Sequence, residues 1–144
     1  MLLVMAAVVA VTCTGVLGTG YFLYYKASEP DRSTPTVVVR QYLEAVLNEH
    51  SDQLAARFSC DSVDDGELRA LVKDVKDREE RFGITIRPSW ENFQSTTDGR
   101  KATVQLDLRL STTVDGVAQR EVQRWEFGLV NRSGWRVCSA KRIS

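Results

Sequence analysis

The spacing of apolar residues along the chain changes near Ile84. Before this residue, apolar side chains recur every three or four positions, as they do on one face of an α-helix. After it, apolar and polar residues alternate, as in β-strands that bury one face. Helices followed by strands predict an α+β domain in which N-terminal helices pack on a curved, four-stranded antiparallel meander.

The helical part divides into three segments. Thr34 is the predicted cap of the first, and a short second segment covers residues 52–58. Ser62 and Asp65 approximate a capping box at the start of the third, and Gly83 stands where a helix C-terminal cap belongs. We therefore expect two helices before Cys60 and one long helix after it.

Four strands are predicted from the alternating part. The dipeptides Asp98-Gly99 and Asp115-Gly116 are hairpin signals, because such pairs readily supply the positive φ angles of tight turns. Pro88 cannot donate a ladder hydrogen bond, so the first strand is expected at a sheet edge or bulged at this point. The predicted strands cover residues 84–96, 101–114, 117–130 and 135–143.

The first 25 residues contain no charged side chain. At about 1.5 Å per residue, a helix of this length spans a bilayer core with some tilt, which predicts a transmembrane anchor at residues 1–25. Residues 26–35 then form a linker, and residues 36–144 form the folded domain. A cleaved signal peptide is the alternative, but it requires a basic start and a shorter apolar core. A lipoprotein signal at Cys13 would require a smaller residue than Thr12 before it.

Small residues recur every four positions in the predicted anchor, at Ala6, Ala10, Thr14 and Gly18. Such a stripe lets two spans pack closely, which would make a homodimer. Small residues are also frequent in transmembrane helices that remain single. Both alternatives stay open at this point.

Charge is balanced over the whole chain of 144 residues, with 19 Lys and Arg against 19 Asp and Glu. A nucleic-acid-binding domain would need a basic excess on one face, so this balance argues against nucleic acid as a partner. All of these charges fall after residue 25, which separates an apolar leader from a charged domain.

Three short segments resemble the nuclear transport factor 2-like superfamily, and more narrowly its membrane-anchored actinobacterial members. They are Tyr42-Leu-Glu-Ala-Val-Leu47, Phe58-Ser-Cys60 and the end of the chain from Leu129 to Cys138. The resemblance covers about residues 35–143. It implies a cone-like interior between helices and sheet, where relatives such as ketosteroid isomerases place acids, tyrosines or histidines.

The alternation fills this interior with apolar side chains, which leaves no group to transfer a proton. Asp107 and Glu126 fall on the opposite face, and His50, the only histidine, lies in a polar helix break. We therefore predict no catalytic residue, and the spacings of Cys, His and Gly predict no metal site and no cofactor. Candidate residues for lining a pocket for an apolar ligand, which alternatively only fill the core, are Leu106, Leu108, Trp125, Phe127 and Trp135.

The outward strand face carries charges of both signs, among them Asp107, Arg109, Arg124 and Glu126. Either a lattice of cross-strand ion pairs facing water or a contact with a partner would explain this pattern. The sequence does not separate the two.

Cys60 and Cys138 are the two cysteines of the folded domain, since Cys13 lies in the predicted span. A pair of cysteines outside the cytoplasm is expected to be oxidised, so we predict a Cys60–Cys138 disulfide that connects the helical layer to the last strand. The alternative is two buried free thiols in a cytoplasmic domain, which the positive charges after the span would favour. The lack of a charged flank before the span is compatible with a natural start upstream of Met1.

These observations predict a single-pass plasma membrane protein with an extracytoplasmic domain that binds or scaffolds without catalysis. Its partner would be an unidentified protein of an envelope complex or a small apolar ligand. A small-molecule-binding protein or enzyme that uses the cone-shaped pocket is the alternative.

Overall fold

The computed structural model describes residues 30–143. The predicted anchor, residues 1–25, and the first four residues of the predicted linker, 26–29, lie outside the described residues. Within residues 30–143, no helix is long and apolar enough to cross a bilayer. The carbonyl of Arg32 accepts a hydrogen bond from the backbone N–H of Trp135, so the chain contacts the sheet before the first helix begins.

Residues 30–143 contain three α-helices and one π-helical turn, all of which precede the antiparallel meander along the chain. Helix α1 covers Pro35–Leu43 and continues as a π-helical turn, Glu44–Asn48. Helix α2 covers Asp52–Ala56, and helix α3 covers Gly66–Phe82.

Sequence signals explain where these helices begin and end. The Thr34 hydroxyl accepts from the Val37 N–H at the start of α1, and Gly83 ends α3 in the left-handed conformation at φ 62°, as predicted. The predicted capping box is wrong, because Ser62 lies in a strand. Asp65 occupies the N-cap of α3, but its side chain makes no capping hydrogen bond.

The sheet of the described residues has five strands rather than the predicted four. Strand β1 is Ser59–Asp64, β2 is Arg87–Asp98, β3 is Lys101–Val114, β4 is Val117–Asn131 and β5 is Trp135–Ile143. Their order is β1-β5-β4-β3-β2, so β2 and β1 are the two edges. Because β1 runs parallel to β5, the sheet is mixed, whereas the other pairs form the predicted antiparallel meander.

The predicted turns connect the meander. Asp115 and Gly116 both have positive φ and form a two-residue turn between β3 and β4, as a type I′ hairpin requires. Pro88 lies in an edge strand as predicted, and the irregular pairing of β2 falls between Glu91 and Gln94.

Helices α1 and α3 cover the inner face of the sheet and enclose one apolar core. Its centre consists of fully buried side chains from α1, α3, β3, β4 and β5, the largest being Trp125, Tyr42, Phe127, Leu43 and Leu68. The alternation in β3 is complete between Ala102 and Leu110, where every second side chain is buried. This part of the prediction, helices packed on a curved sheet, is confirmed.

A disulfide joins Cys60 of β1 to Cys138 of β5, as the cysteine pattern predicted. Cys138 is the extra residue in a bulge, because Gly128 pairs with Ser139 while Leu129 pairs with Val137. Cys138 would face outward by strict alternation, and Cys60 reaches it from the neighbouring edge strand. The bond therefore connects two strands and not, as expected, the helical layer to the sheet.

Candidate functional site

The five candidate pocket-lining residues lie in the core, on the inner face of strands β3, β4 and β5. Their exposed fractions are 1% for Leu106, 0% for Leu108, 2% for Trp125, 0% for Phe127 and 7% for Trp135. They pack against the helices as part of one cluster. One of them, Trp125, also borders a cleft described below. In this structure, these side chains fill the centre of the cone.

The interior also contains a tyrosine and a carboxylate that the alternation did not reveal. The buried Tyr42 hydroxyl donates to Asp65 Oδ2. Arg69 Nε donates to the same oxygen at 2.9 Å, and another nitrogen of the Arg69 guanidinium pairs with Asp52 at the surface. The expectation of a wholly apolar interior is therefore wrong at this point.

The Tyr42 hydroxyl is held in its protonated form. Burial raises the pKa of Tyr42, and the hydrogen bond to Asp65 raises it further. Asp65 already accepts from Tyr42 and from Arg69, so its Oδ2 is occupied by partners within the protein. A buried tyrosine hydroxyl usually has a hydrogen-bond partner, and this rule was the signal in the sequence that could have indicated a partner for Tyr42.

A cavity of about 400 Å³ opens where the end of α1 meets α3 and the first two strands of the meander. We call it the His50 cavity, after the histidine at its rim. Its volume lies in the range of small-molecule sites, roughly 300–1,000 Å³. The residues lining it are Leu47, Asn48, His50, Val72, Val75, Lys76, Glu79, Ile86, Arg87, Pro88 and Leu110.

Local backbone features place His50 at this rim. The π-helical turn widens the end of α1, and the Ser51 N–H returns to the Ala45 carbonyl at 2.9 Å. His50 itself is exposed and adopts φ 49°, a conformation that only a small share of non-glycine residues take. π-helical turns and unusual backbone angles are frequent at functional sites. The sequence indicated an exposed turn residue, which is correct, but did not indicate the cavity.

The floor of the His50 cavity is apolar. Leu47, Val75, Ile86 and Leu110 contribute to both the cavity and the core, with exposed fractions between 4% and 8%. Polar side chains stand at its rim. One of them is Glu79, whose carboxylate accepts from the Ile86 N–H at 2.7 Å and so holds the residue just before β2.

A larger cleft of about 1090 Å³ lies between α3, the middle of β4 and the end of β5, and we call it the β4 cleft. Its charges are largely paired with one another. Arg78 bridges Asp74 at 2.5 Å and Glu121 at 3.5 Å, and Arg124 pairs with Asp107 at 3.1 Å. These ion pairs engage most of the charged side chains that line the cleft, so the cleft has fewer free groups for binding a ligand than its size indicates.

The outer face of the sheet carries the cross-strand ion pairs that the sequence allowed. Asp107 accepts from Asn92 and Arg124, and these hydrogen bonds hold its pKa below the usual range. Hydrogen bonds from Gln105 and Lys141 likewise lower the pKa of Glu126. Both acids therefore stay ionised at neutral pH and lie on the face away from the core.

No cluster of three or more His, Cys, Asp or Glu side chains placed to hold a metal ion occurs in residues 30–143.

No protein-family model matches the sequence, and the comparison with curated proteins found no match either. Solved structures do match. The Kfla4162 protein from Kribbella flavida is 17% identical with a TM-score of 0.55, covering 81% of this chain and 91% of its own. An NTF2-like protein with a cystatin-like fold from Novosphingobium aromaticivorans is 13% identical with a TM-score of 0.55, covering 88% and 86%.

A candidate ketosteroid isomerase from Shewanella frigidimarina is 17% identical with a TM-score of 0.50, covering 74% of this chain and 91% of its own. Identities this low show the fold alone. Together with the helices on a curved mixed sheet, they show that this chain has the nuclear transport factor 2-like fold.

Proposed function

We propose that this protein is a non-catalytic binding domain of the cell envelope, which takes a small apolar ligand in the His50 cavity. The observation that carries this proposal is the cavity itself, about 400 Å³ with an apolar floor and a polar rim. A concave site of this composition is the usual form of a small-molecule site. Burying an apolar ligand on such a floor supplies binding free energy without any reacting group.

Catalysis is the second candidate function, and one observation favours it. Tyr42 and Asp65 form a phenol–carboxylate pair inside the cone, where a general acid and base would be useful. However, Tyr42 is 0% exposed and Asp65 8%, and neither residue lines the His50 cavity. Arg69 also donates a hydrogen bond to the Asp65 carboxylate. Packing and ion pairing therefore favour a structural role for this pair, and binding is the better-supported function.

We further propose that the domain lies outside the cytoplasm and is held by an anchor at residues 1–25, as in membrane-anchored actinobacterial relatives. The Cys60–Cys138 disulfide supports this location, since disulfides persist in oxidising compartments. The uncharged leader supports the anchor. An envelope protein that receives or delivers the ligand is the partner that this arrangement suggests.

The anchor predicts how the protein fractionates. Full-length protein should stay in the membrane pellet after a carbonate wash, because an apolar helix remains in the bilayer when peripheral contacts are broken. Residues 30–144 alone should be recovered in the soluble fraction. Full-length protein in the wash would contradict the anchor and leave the binding proposal to be judged separately.

Filling the His50 cavity tests the binding function directly. Val72 is half-buried on α3 and lines the cavity, so Val72→Trp should occupy it and abolish binding of octanol, an uncharged apolar probe. Ala70→Trp is the matched control, since Ala70 is exposed on the same helix and lines the β4 cleft instead. Binding would be measured by calorimetry on full-length protein in phosphatidylcholine nanodiscs, with empty discs as the blank. Equal octanol binding by Val72→Trp and wild type would rule out this cavity.

A further inference from the structure

The charged side chains at the rim of the His50 cavity are not paired with one another, whereas most of those in the β4 cleft are. Three ionised side chains line the cavity: Lys76, Glu79 and Arg87. Glu79 is engaged, because one of its carboxylate oxygens accepts from the Ile86 N–H at 2.7 Å. A carboxylate that already accepts a backbone hydrogen bond has less capacity left for a cationic ligand.

The two cations at the rim have weaker partners. Within residues 30–143, Arg87 takes part in no ion pair, and the one ion pair of Lys76 is with Glu80, at the limiting distance of 4.0 Å. The Lys76 side chain is 72% exposed, so it is free to change rotamer and turn toward a bound anion. By contrast, Lys73 on the same helix is held by Asp77 at 2.7 Å.

We propose that the ligand of the His50 cavity is an amphipathic monoanion, with an apolar chain on the floor and a carboxylate near Lys76 and Arg87. This inference rests on the proposed binding function. Charge-assisted hydrogen bonds to a carboxylate are roughly twice as strong as neutral ones, and arginine can engage both carboxylate oxygens at once. The two cations, which the fold leaves without close partners, thus select the sign of the headgroup, while the floor selects an apolar chain.

Three probes with the same eight-carbon chain and different headgroups separate the charge from the chain. They are octanoate, octanol and octylammonium, titrated into full-length protein in phosphatidylcholine nanodiscs at neutral pH. We expect octanoate to bind about tenfold more tightly than octanol, and octylammonium more weakly than either. Partition into the lipid is common to wild-type and variant discs, so differences between proteins report the cavity.

Neutralising either cation should weaken binding of the anionic probe and relieve the repulsion of the cationic probe. Lys76→Gln and Arg87→Gln are each expected to weaken octanoate binding roughly fivefold and octanol binding much less, because octanol carries no charge and because both side chains are exposed and contribute little to folding. Lys73→Gln removes one positive charge from the same helix but lies outside the cavity lining, and it should leave both affinities unchanged.

The outcomes distinguish this inference from the binding function on which it rests. If octanol and octanoate bind equally and Val72→Trp removes both, the cavity binds apolar ligands and the selection for an anion is wrong. If octanoate binding falls as much in Lys73→Gln as in Lys76→Gln, general electrostatic attraction explains it and the carboxylate site is wrong. If none of the three probes binds, the proposed function and this inference both fail.

Discussion

Replacing both cysteines, in the variant Cys60→Ser/Cys138→Ser, is expected to lower the free energy of unfolding by about 4 kcal/mol. The two residues are separated by 78 positions in the chain. In the chain-entropy model, closing a loop of this length restricts the unfolded state by roughly 4.5 kcal/mol at 25 °C. Small domains are stable by only about 5–15 kcal/mol, so this loss is a large part of the total.

Urea unfolding of residues 30–144 at neutral pH measures this effect, since the core and the disulfide both lie within that segment. The unreduced wild type, the same protein after reduction, and the double variant should be compared. Reduced wild type and double variant should unfold at similar urea concentrations, well below unreduced wild type. Equal midpoints for the unreduced wild type and the double variant would show that the disulfide does not stabilise the fold.

The disulfide has a second expected consequence, at the sheet edge. Strand β1 pairs with β5 at only two registered positions, Ser59 with Val137 and Asp64 with Ser139, with an irregularity between them. Few ladder hydrogen bonds therefore hold this edge, and the bond between Cys60 and Cys138 fastens it covalently. In the double variant, amide hydrogen exchange should accelerate in β1 before it does in β3 and β4.

Strands β3 and β5 could be predicted to the residue, whereas β1 could not be predicted at all. In β3, five buried side chains alternate with polar ones between two tight turns, and each signal reinforces the others. In β1, Ser59 is the only buried residue and the others are polar or half-buried. A short edge strand of this kind forms because β5 offers a partner, and its own sequence carries no periodic signal of it.

The candidate site was harder to predict than the fold, because it depends on contacts between segments that are distant in the sequence. The His50 cavity combines the end of α1 with α3 and with residues of β2 and β3. Periodicity identifies which face of an element is buried, but the space left between elements is set by how they pack. The Tyr42–Asp65 pair was missed for a related reason. Each residue had a sufficient local explanation, Tyr42 in an apolar stripe and Asp65 near a helix start.

The buried pair leads to the second large expected effect, a loss of about 3 kcal/mol on Asp65→Ala. The substitution leaves the Tyr42 hydroxyl buried without an acceptor and removes the inner partner of Arg69. An unsatisfied buried donor costs about 1–3 kcal/mol, and breaking a buried charge interaction adds to this. Asp52→Ala is the control, because it removes only the exposed partner of Arg69, with a side chain 86% exposed, and should cost less than about 1 kcal/mol.

The same pair predicts how stability depends on pH in alkaline solution. Burial and the Asp65 hydrogen bond raise the pKa of Tyr42 in the folded state, while an unfolded tyrosine titrates near pH 10. Above about pH 10 the unfolded chain therefore releases a proton that the folded protein retains, and stability falls as pH rises, by up to about 1.4 kcal/mol per pH unit. Tyr42→Phe lacks this group, so its stability should fall less steeply between about pH 10 and pH 11. Urea unfolding of both proteins at several pH values measures the two slopes, and parallel slopes would show that Tyr42 titrates no differently in the folded and unfolded states.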